Sequence, residues 1–378
     1  MGMNKMFKKV LAVVVAGAMT MGMAMPTFAT DEGKTTEAWI TKTYNTEVGK
    51  AEKFSFTAEQ VKAGTGIITT DAPVNMPEIS FINTEIGTTS KRGQIKFPTY
   101  TEAGKYEYTV TETQTVDPAV VNGEHEKMIM SGAEYTMDVY VTDGATGTEI
   151  SNIVVNKVKD DAGQLATGKV DISNTDKNGF KFTNTYVQEA GTGIDPTNPG
   201  PTYAKDGSLN VTKAIEANGG TVDTSKMFDF TATFNFPTGT DANTLGGVKD
   251  ADGHTIAINE AGTYTFKLKA NKNMKFTGVP VGTKISVVES ATPNYKGSAE
   301  SVFNGVQQTK VEASKYDEAI TVKNTLGQKQ NKVDVTNTYN YVPTTGIIMN
   351  TLPYVLMIAL CGAALMAFVA FKRRRLQK

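Results

Sequence analysis

Short segments of alternating polarity run through the middle of this 378-residue chain and restrict what it can fold into. They are rich in Val, Thr, Tyr and Phe, and clusters of Gly, Asn and Asp separate them. Examples are "YEYTVTE", "YTMDVYV", "FKFTNTY", "FDFTATF" and "VDVTNTY". Alternation with a period of two predicts half-buried strands. No long helical period appears between the two termini, so the sequence predicts an all-β fold.

The pattern occurs twice, on either side of the Pro-, Gly- and Thr-rich stretch "EAGTGIDPTNPGPTYAKDG". The first copy reads "AWITKTY", "FSFTA", "YTVTET", "FKFTNTY", and the second reads "LNVTKAI", "FDFTATF", "ISVVES", "VDVTNTY". The period is far too long for stacked repeats, so two related β-sandwich domains are predicted. We expect the first at 30–189, a linker at 190–204 and the second at 205–341.

The N-terminus has the composition of an export signal. Lys5, Lys8 and Lys9 precede an apolar stretch from Val10 to Met25, and "PTFAT" follows. The stretch is short, and small residues stand at the positions of a cleavage site. Residues 1–29 are therefore predicted to be a secretory signal peptide cleaved after Ala29.

The C-terminus has the composition of a membrane anchor. An apolar run from Ile347 to Phe371 is long enough to span a bilayer as a helix. The basic tail Lys372–Arg375 follows it and is expected to remain in the cytoplasm. A plain C-terminal anchor is one interpretation of this ending.

Charged and amide side chains occur on strand faces that otherwise carry core residues. Side chains two apart on a strand share a face, so Lys42 lies beside Ile40, and Glu112 continues the face of Tyr108 and Val110. Each copy places one Lys, one Glu and one Asn in this way, in the same order: Lys42, Glu112 and Asn184, then Lys213, Glu289 and Asn337. Buried Lys and Glu are rare unless they are paired, and the alternative is that they sit at strand ends and reach solvent.

The three residue types together suggest a chemical reaction. Desolvation lowers the pKa of a Lys amine and makes it a nucleophile, and it raises the pKa of a Glu that could then relay protons. An amine held against an Asn carboxamide can attack it and expel ammonia, which leaves a Lys–Asn isopeptide bond. Such bonds would stabilise a chain whose single cysteine, Cys361, lies in the apolar run.

The sequence offers few residues for a hydrolase site, a metal site or a nucleic-acid interface. The only histidines, His125 and His254, lie in polar contexts, so neither a Ser-His-Asp site nor a His-based metal site is predicted. "DADGH", at 250–254, lacks the remaining EF-hand spacing and is interpreted as a turn. The net charge of −1 gives no basic field for nucleic acid. We expect no cofactor, no metal and no turnover enzyme, only single-turnover bond formation.

The ending of the chain resembles the LPXTG-type sorting signal of Gram-positive surface proteins. A five-residue motif, an apolar stretch and a basic tail make up such signals, and here they occupy 342–378. The motif residues are Val342, Pro343, Thr344, Thr345 and Gly346. The resemblance implies that sortase, a membrane transpeptidase, cleaves between Thr345 and Gly346. Val at the first position departs from the commonest form and leaves the class of sortase open.

The middle of the chain resembles the two-domain major pilins of Gram-positive bacteria, whose immunoglobulin-like domains contain self-formed isopeptide bonds. The markers are "VTK", "YTVTE" and "FTNTY". The resemblance implies a bond between Lys42 and Asn184 with Glu112 as catalyst. It implies a second bond between Lys213 and Asn337 with Glu289 as catalyst. Asn324 in "ITVKNTL" is a rival to Asn337, which we prefer because "NTY" follows the same position in both copies.

These resemblances imply a structural shaft subunit of a covalent pilus in the cell wall of a Gram-positive bacterium. The expected partners are sortase, identical subunits, peptidoglycan and minor tip or base pilins. A lysine must accept the Thr345 carbonyl of the next subunit, and we favour Lys177, with Lys205 of "YAKD" as the alternative and Lys181 close by. An unpolymerised wall-anchored adhesin is the competing hypothesis, and a membrane-retained surface enzyme is a third.

Overall fold

The computed structural model describes residues 35–172, 179–219, 221–340 and 345–375. Within the last range, side chains are described for 354–370 and 372. The predicted signal peptide, Lys177 and the first three residues of the sorting motif lie outside the described residues.

The first domain consists of two facing sheets. One has the order β5-β1-β11-β7, with β1 Trp39–Thr46, β5 Gly87–Gln94, β7 Glu126–Ile129 and β11 Phe180–Gln188. The other has the order β10-β9-β8-β6-β3, with β3 Phe56–Gln60, β6 Gly104–Glu112, β8 Glu134–Gly144, β9 Gly147–Lys159 and β10 Leu165–Val170. A short pair, β2 Glu52–Phe54 with β4 Ile79–Phe81, covers one side.

The second domain repeats this arrangement. One sheet has the order β15-β12-β21-β17-β18, with β12 Leu209–Ala217, β15 Lys272–Phe276, β17 Tyr295–Phe303, β18 Val306–Gln307 and β21 Lys332–Tyr339. A further strand, β19 Val311–Glu312, pairs with β17. The facing sheet has the order β14-β13-β16-β20, with β13 Phe228–Asn235, β14 Thr263–Leu268, β16 Lys284–Glu289 and β20 Ile320–Thr325. The predicted all-β sandwich fold is thereby confirmed.

Alternation in the sequence places the core between the sheets. Along β6 every second residue is buried, which packs Tyr106, Tyr108 and Val110 into the first core. The same alternation in β16 buries Ile285 and Val287 in the second core. Because the period of two continues to the last residue of each strand, the glutamates at these two strand ends face the cores as well.

The first and last strands of each domain are parallel neighbours. β1 pairs with β11 in the first domain, and β12 pairs with β21 in the second. Parallel partners are joined through a long connection, so nearly all of each domain lies between them in sequence. A covalent bond between such strands would close most of the domain into one loop.

The stretch predicted as a linker is bonded to the second domain where it begins. The backbone N–H groups of Ala190, Gly191 and Gly193 donate to the carbonyl groups of Val279, Gly327 and Gln328, respectively. The linker range ends in a short helix, α1 Pro201–Asp206. These bonds hold the start of the connection against the second sandwich.

A buried carboxylate joins the two domains. Glu189 is 1% exposed, and it accepts hydrogen bonds from the Tyr203 hydroxyl at 2.7 Å and the Ser208 hydroxyl at 2.6 Å. His125 of the first domain places its Nδ1 2.6 Å from the same carboxylate. His125, predicted in a polar context, lies in a bend just before β7, and the structure places it at this junction.

A second helix, α2, spans Thr345–Arg375. Over the part of the chain that the structure describes, no helix is both long and apolar enough to cross a bilayer. The membrane-length stretch at 347–371 stays a prediction.

Candidate functional site

The first candidate site lies between the two sheets of the first domain. In the parallel β1–β11 pair, Lys42 is opposite Phe182 and Tyr44 is opposite Asn184, so the Lys and Asn side chains are diagonal neighbours on one face. Glu112 ends β6 in the facing sheet, and its Oε1 accepts a hydrogen bond from Lys42 Nζ. All three residues are buried, with Lys42 and Asn184 fully so.

The second candidate site has the same register. Lys213 is opposite Val335 and Ile215 is opposite Asn337, again in a parallel first-to-last pair. Glu289 ends β16 in the facing sheet, and its Oε2 lies 3.1 Å from Lys213 Nζ. The Asn337 amide donates to the other oxygen of Glu289. Lys213, Glu289 and Asn337 are each at most 3% exposed.

An aromatic ring faces the amine at each site. Phe54 lies 4.2 Å from Lys42 Nζ, and Phe228 lies 4.2 Å from Lys213 Nζ, measured to the ring centroids. The rings exclude water from the amines and tolerate a positive charge on them. Sequence reasoning did not assign these residues to the sites. Their signal was present, because each is the first Phe of the matching segments "FSFTA" and "FDFTATF".

The electrostatics of both sites favour neutral partners. Burial lowers the pKa of Lys42 to about 8, although the Glu112 carboxylate opposes this. Burial likewise lowers the pKa of Lys213 to about 8, opposed by Glu289. The pKa values of Glu112 and Glu289 are raised above the usual range, chiefly by burial. Transfer of a proton from ammonium to carboxylate leaves an uncharged pair, which a low-dielectric core accommodates best.

This arrangement is suited to amide exchange. A neutral Lys amine can attack the Asn carboxamide carbon, and the carbonyl electrons move to the amide oxygen. The Glu side chain can take the proton that the Lys nitrogen loses and deliver it to the leaving nitrogen. The new bond is a secondary amide between Lys and Asn, and the product is one molecule of ammonia. The reaction consumes both side chains, so each site acts once.

Comparison with protein families assigns the first domain. Residues 38–187 match the family model FctA, described as the Spy0128-like isopeptide containing domain. The first domain is similar to Spy0128-like isopeptide containing domains. This match confirms the resemblance to Gram-positive major pilins that the sequence indicated. Residues 207–339 match a family described as a domain of unknown function, DUF7601.

Solved structures similar to this chain include two major pilins of Streptococcus pyogenes. The T3.2 pilin is 19% identical, with 81% of this chain and 99% of that chain covered and a TM-score of 0.31. A second is 20% identical, with coverages of 80% and 98% and a TM-score of 0.31. A pilus-presented adhesin is 13% identical over 50% of this chain and 38% of its own, with a TM-score of 0.25. A comparison with curated protein sequences found no match.

The first domain differs from the second in how the oxygen of its Asn amide is held. Asn184 Oδ1 accepts a hydrogen bond of 2.9 Å from the Ser131 backbone N–H. Asn337 Oδ1 is buried and has no hydrogen-bond partner among the described residues. Nothing in the sequence pattern marked Ser131 as part of the first site.

The rival amide in the second domain is oriented differently. Asn324 lies in β20, opposite Ile285, and its Oδ1 accepts from the neighbouring Thr325 N–H at 2.8 Å. Asn337 instead donates directly to Glu289. The geometry therefore favours Asn337 as the partner of Lys213.

The remaining predicted residues lie away from these buried sites. Lys205 is exposed in the last turn of α1, and Lys181 is exposed in β11. The "DADGH" segment is a turn in which Asp250 Oδ1 accepts from the backbone N–H groups of Asp252 and His254. The three side chains bring potential ligand atoms within 4.8 Å of one another, which is common for exposed acidic groups without a metal.

Proposed function

We propose that this chain is the shaft subunit of a covalent surface pilus and that each domain forms its own Lys–Asn isopeptide bond. One observation carries the proposal. Two domains of different sequence place Lys, Glu and Asn in the same strand register, buried between sheets and facing an aromatic ring. A Lys and a Glu buried together are costly to keep charged, so a water-free triad of this composition has little structural value unless it reacts.

The bonds would help a shaft subunit to withstand tension along the pilus. The Lys42–Asn184 and Lys213–Asn337 bonds would tie the first strand of each domain to its last. On the chain-entropy treatment of cross-links, closing a loop of about 100 residues stabilises by about 4.7 kcal/mol. The bonds would do this in a chain whose single cysteine cannot form an internal disulfide.

Polymerisation is the second part of the proposal. Sortase would cleave between Thr345 and Gly346 and transfer the Thr345 carbonyl to a lysine of the next subunit. Lys177 is the preferred acceptor and Lys205 the alternative. Subunits at the base would be transferred to peptidoglycan, and minor pilins would join as tip or base components.

Mass measurement tests the internal bonds. The chain from Thr30 to Thr345 should be lighter than its sequence mass by two ammonia molecules. Digestion should yield two branched peptides, one joining Lys42 to Asn184 and the other joining Lys213 to Asn337. A chain at full sequence mass would refute the bonds.

A cell-wall extract boiled in SDS tests polymerisation separately. A ladder of high-mass species that carry this chain is expected for a shaft subunit. Absence of the ladder, with the chain still joined to the wall at Thr345, would favour the unpolymerised adhesin. Recovery from membranes with Arg373–Arg375 still attached would favour a plain membrane anchor.

A further inference from the structure

The amide oxygen of the first site has a backbone donor, which also acts on the Glu112 carboxyl. The Ser131 backbone N–H lies 2.9 Å from Asn184 Oδ1, and both residues are at most 1% exposed. A backbone N–H can only donate, so the contact also fixes which amide atom faces it. Attack by Lys42 on the amide carbon would place negative charge on this oxygen. A donor already aimed at the position of developing charge stabilises the transition state without reorganisation.

A carboxylate holds that donor in register with the reacting strand. Asp161 Oδ1 accepts from the Ser131 hydroxyl at 2.6 Å and from the Thr183 backbone N–H at 2.8 Å. Thr183 immediately precedes Asn184 in β11. The backbone N–H of Gly132 donates to the Asp161 carbonyl at 2.8 Å. Asp161 therefore fixes the loop carrying the donor to the strand carrying the amide.

A glutamine ties the same loop to the strand of the catalytic carboxyl. Gln114 Nε2 donates to the Ser131 carbonyl at 3.0 Å and to the Glu112 carbonyl at 3.1 Å. The Ser131 hydroxyl additionally accepts from the Ala133 N–H at 3.2 Å. Ser131 is thus linked to the strand of Glu112, to the strand of Asn184 and to the turn of Asp161. Its backbone therefore has little freedom to move.

The second domain has no such donor among its described residues. Asn337 Oδ1 is buried without a hydrogen-bond partner, and its amide nitrogen faces Glu289. The strand residue opposite Asn337 is Gly297, where an added Cβ would lie 3.2 Å from that oxygen. The contrast within one chain shows that the Ser131 contact is not a general consequence of the fold.

We propose that the Ser131 N–H is an oxyanion donor for formation of the Lys42–Asn184 bond and that Asp161 is its positioning residue. The inference rests on the proposed isopeptide chemistry. In the step concerned, Lys42 Nζ bonds to the Asn184 amide carbon, and the carbonyl π electrons move to Oδ1 beside the Ser131 N–H. When the carbonyl re-forms, the carbon–Nδ2 bond breaks. The proton released by Lys42 leaves with that nitrogen as ammonia.

The rate of the first bond, with the second bond as internal reference, tests the proposal. The chain 30–345 is suitable because neither hydrophobic core includes a residue beyond 339. It would be synthesised in a cell-free system, quenched in acidic denaturant at intervals and digested. The two branched peptides are then quantified separately. Asp161→Ala should slow the first bond by roughly tenfold or more, below the 10²–10³-fold loss typical of removing a donor outright.

Asp160→Ala is the matched control. Asp160 lies in the same turn, and among the described residues its carboxylate accepts a hydrogen bond only from the Gln164 N–H. This variant should leave both bonds at the parent rate. Asp161→Ala should leave the second bond unchanged, which verifies that the second domain folds; circular dichroism reports on the folding of the first.

The dependence on pH separates a positioning role from a merely structural one. The charged groups that act on Lys42 are Glu112 from β6 and Asp161 from the turn after β9. Asp161→Asn removes the charge but keeps an acceptor oxygen. It should move the midpoint of the pH–rate profile of the first bond to lower pH while keeping the plateau rate near that of the parent. Asp161→Ala should shift the midpoint in the same direction and lower the plateau too.

Three results would overturn the proposal. One is a plateau for Asp161→Ala equal to that of the parent. Another is a loss of rate that only follows the folded fraction measured by circular dichroism. The third is an Asp161→Asn plateau as low as that of Asp161→Ala. Absence of both branched peptides from the parent would instead refute the proposed function, and this inference with it.

Discussion

Replacing Glu112 with Gln is expected to leave Lys42 and Asn184 unlinked while the second domain keeps its bond. Gln has nearly the shape of Glu, so the packing around β6 should survive. It cannot exchange a proton with Lys42, whose Nζ is bonded to Glu112 Oε1 in a fully buried contact. The ammonium would stay protonated or move towards solvent, and neither state attacks an amide.

The loss of stability follows from two terms. Removing a cross-link that closes about 100 residues or more costs about 4.7 kcal/mol on the chain-entropy treatment. A buried Lys42 left without its carboxylate adds about 3–5 kcal/mol. For a domain of about 150 residues, each kcal/mol lowers Tm by roughly 2–4 °C, so the cross-link alone is worth roughly 10–20 °C.

Calorimetry of the chain 30–345 would measure this effect. Glu112→Gln should lower the melting transition of the first domain, and Glu289→Gln should lower that of the second. A Lys42→Met, Glu112→Leu double variant controls for the stranded charge, because it removes the cross-link and leaves an apolar pair. It should lose only the cross-link part, about 4.7 kcal/mol. A Glu112→Gln protein that still lacks two ammonia molecules, or one that melts like the parent, would refute the reasoning.

Three further predictions concern other residues. Burial raises the pKa of Glu52 from 4.5 to about 7, and both its oxygens lack partners among the described residues. Its neutral form therefore favours the fold below pH 4.5, and this contribution is lost as pH rises towards 7. In urea unfolding, the Glu52→Gln variant should have the same free energy of unfolding as the parent at pH 4, and a free energy higher by up to about 3 kcal/mol at pH 8. Equal stabilities of the two proteins at both pH values would contradict this. Gly297→Ala should slow formation of the second bond in timed peptide mapping and leave the first unchanged, because the new methyl group would lie 3.2 Å from Asn337 Oδ1. Unchanged rates for both bonds would contradict this and show that the side chains around residue 297 move to make room. In the parent bacterium, Lys177→Ala should abolish the high-mass ladder on blots while Lys205→Ala preserves it; the opposite pattern would make Lys205 the acceptor.

The sequence by itself determined the fold class and predicted the members of each triad, apart from the choice between Asn337 and Asn324. Alternation with a period of two identifies β6 and β16 as strands with one buried face, and it carries Glu112 and Glu289 onto that face. The repeat of the same pattern in both halves made the two sandwiches predictable. This information is local, since it depends only on residues a few positions apart.

The tertiary structure decided what surrounds the triads. Phe54 lies in β2 and Phe228 in β13, and only the tertiary packing places each ring 4.2 Å from its amine, which no local period encodes. The Ser131 N–H reaches Asn184 through a loop whose position depends on Asp161 and Gln114. Backbone donors have the same chemistry at every residue, so only the fold can select one of them.

The choice between Asn337 and Asn324 also depended on the tertiary structure and not on the sequence alone. Both lie in strands, and the sequence could rank them only by the repeated "NTY". The fold separates them because β21 is the parallel neighbour of β12, whereas β20 belongs to the facing sheet. Strand pairing brings together residues far apart in the chain, and the register that places Asn337 beside Lys213 and Glu289 is a property of the assembled sheets.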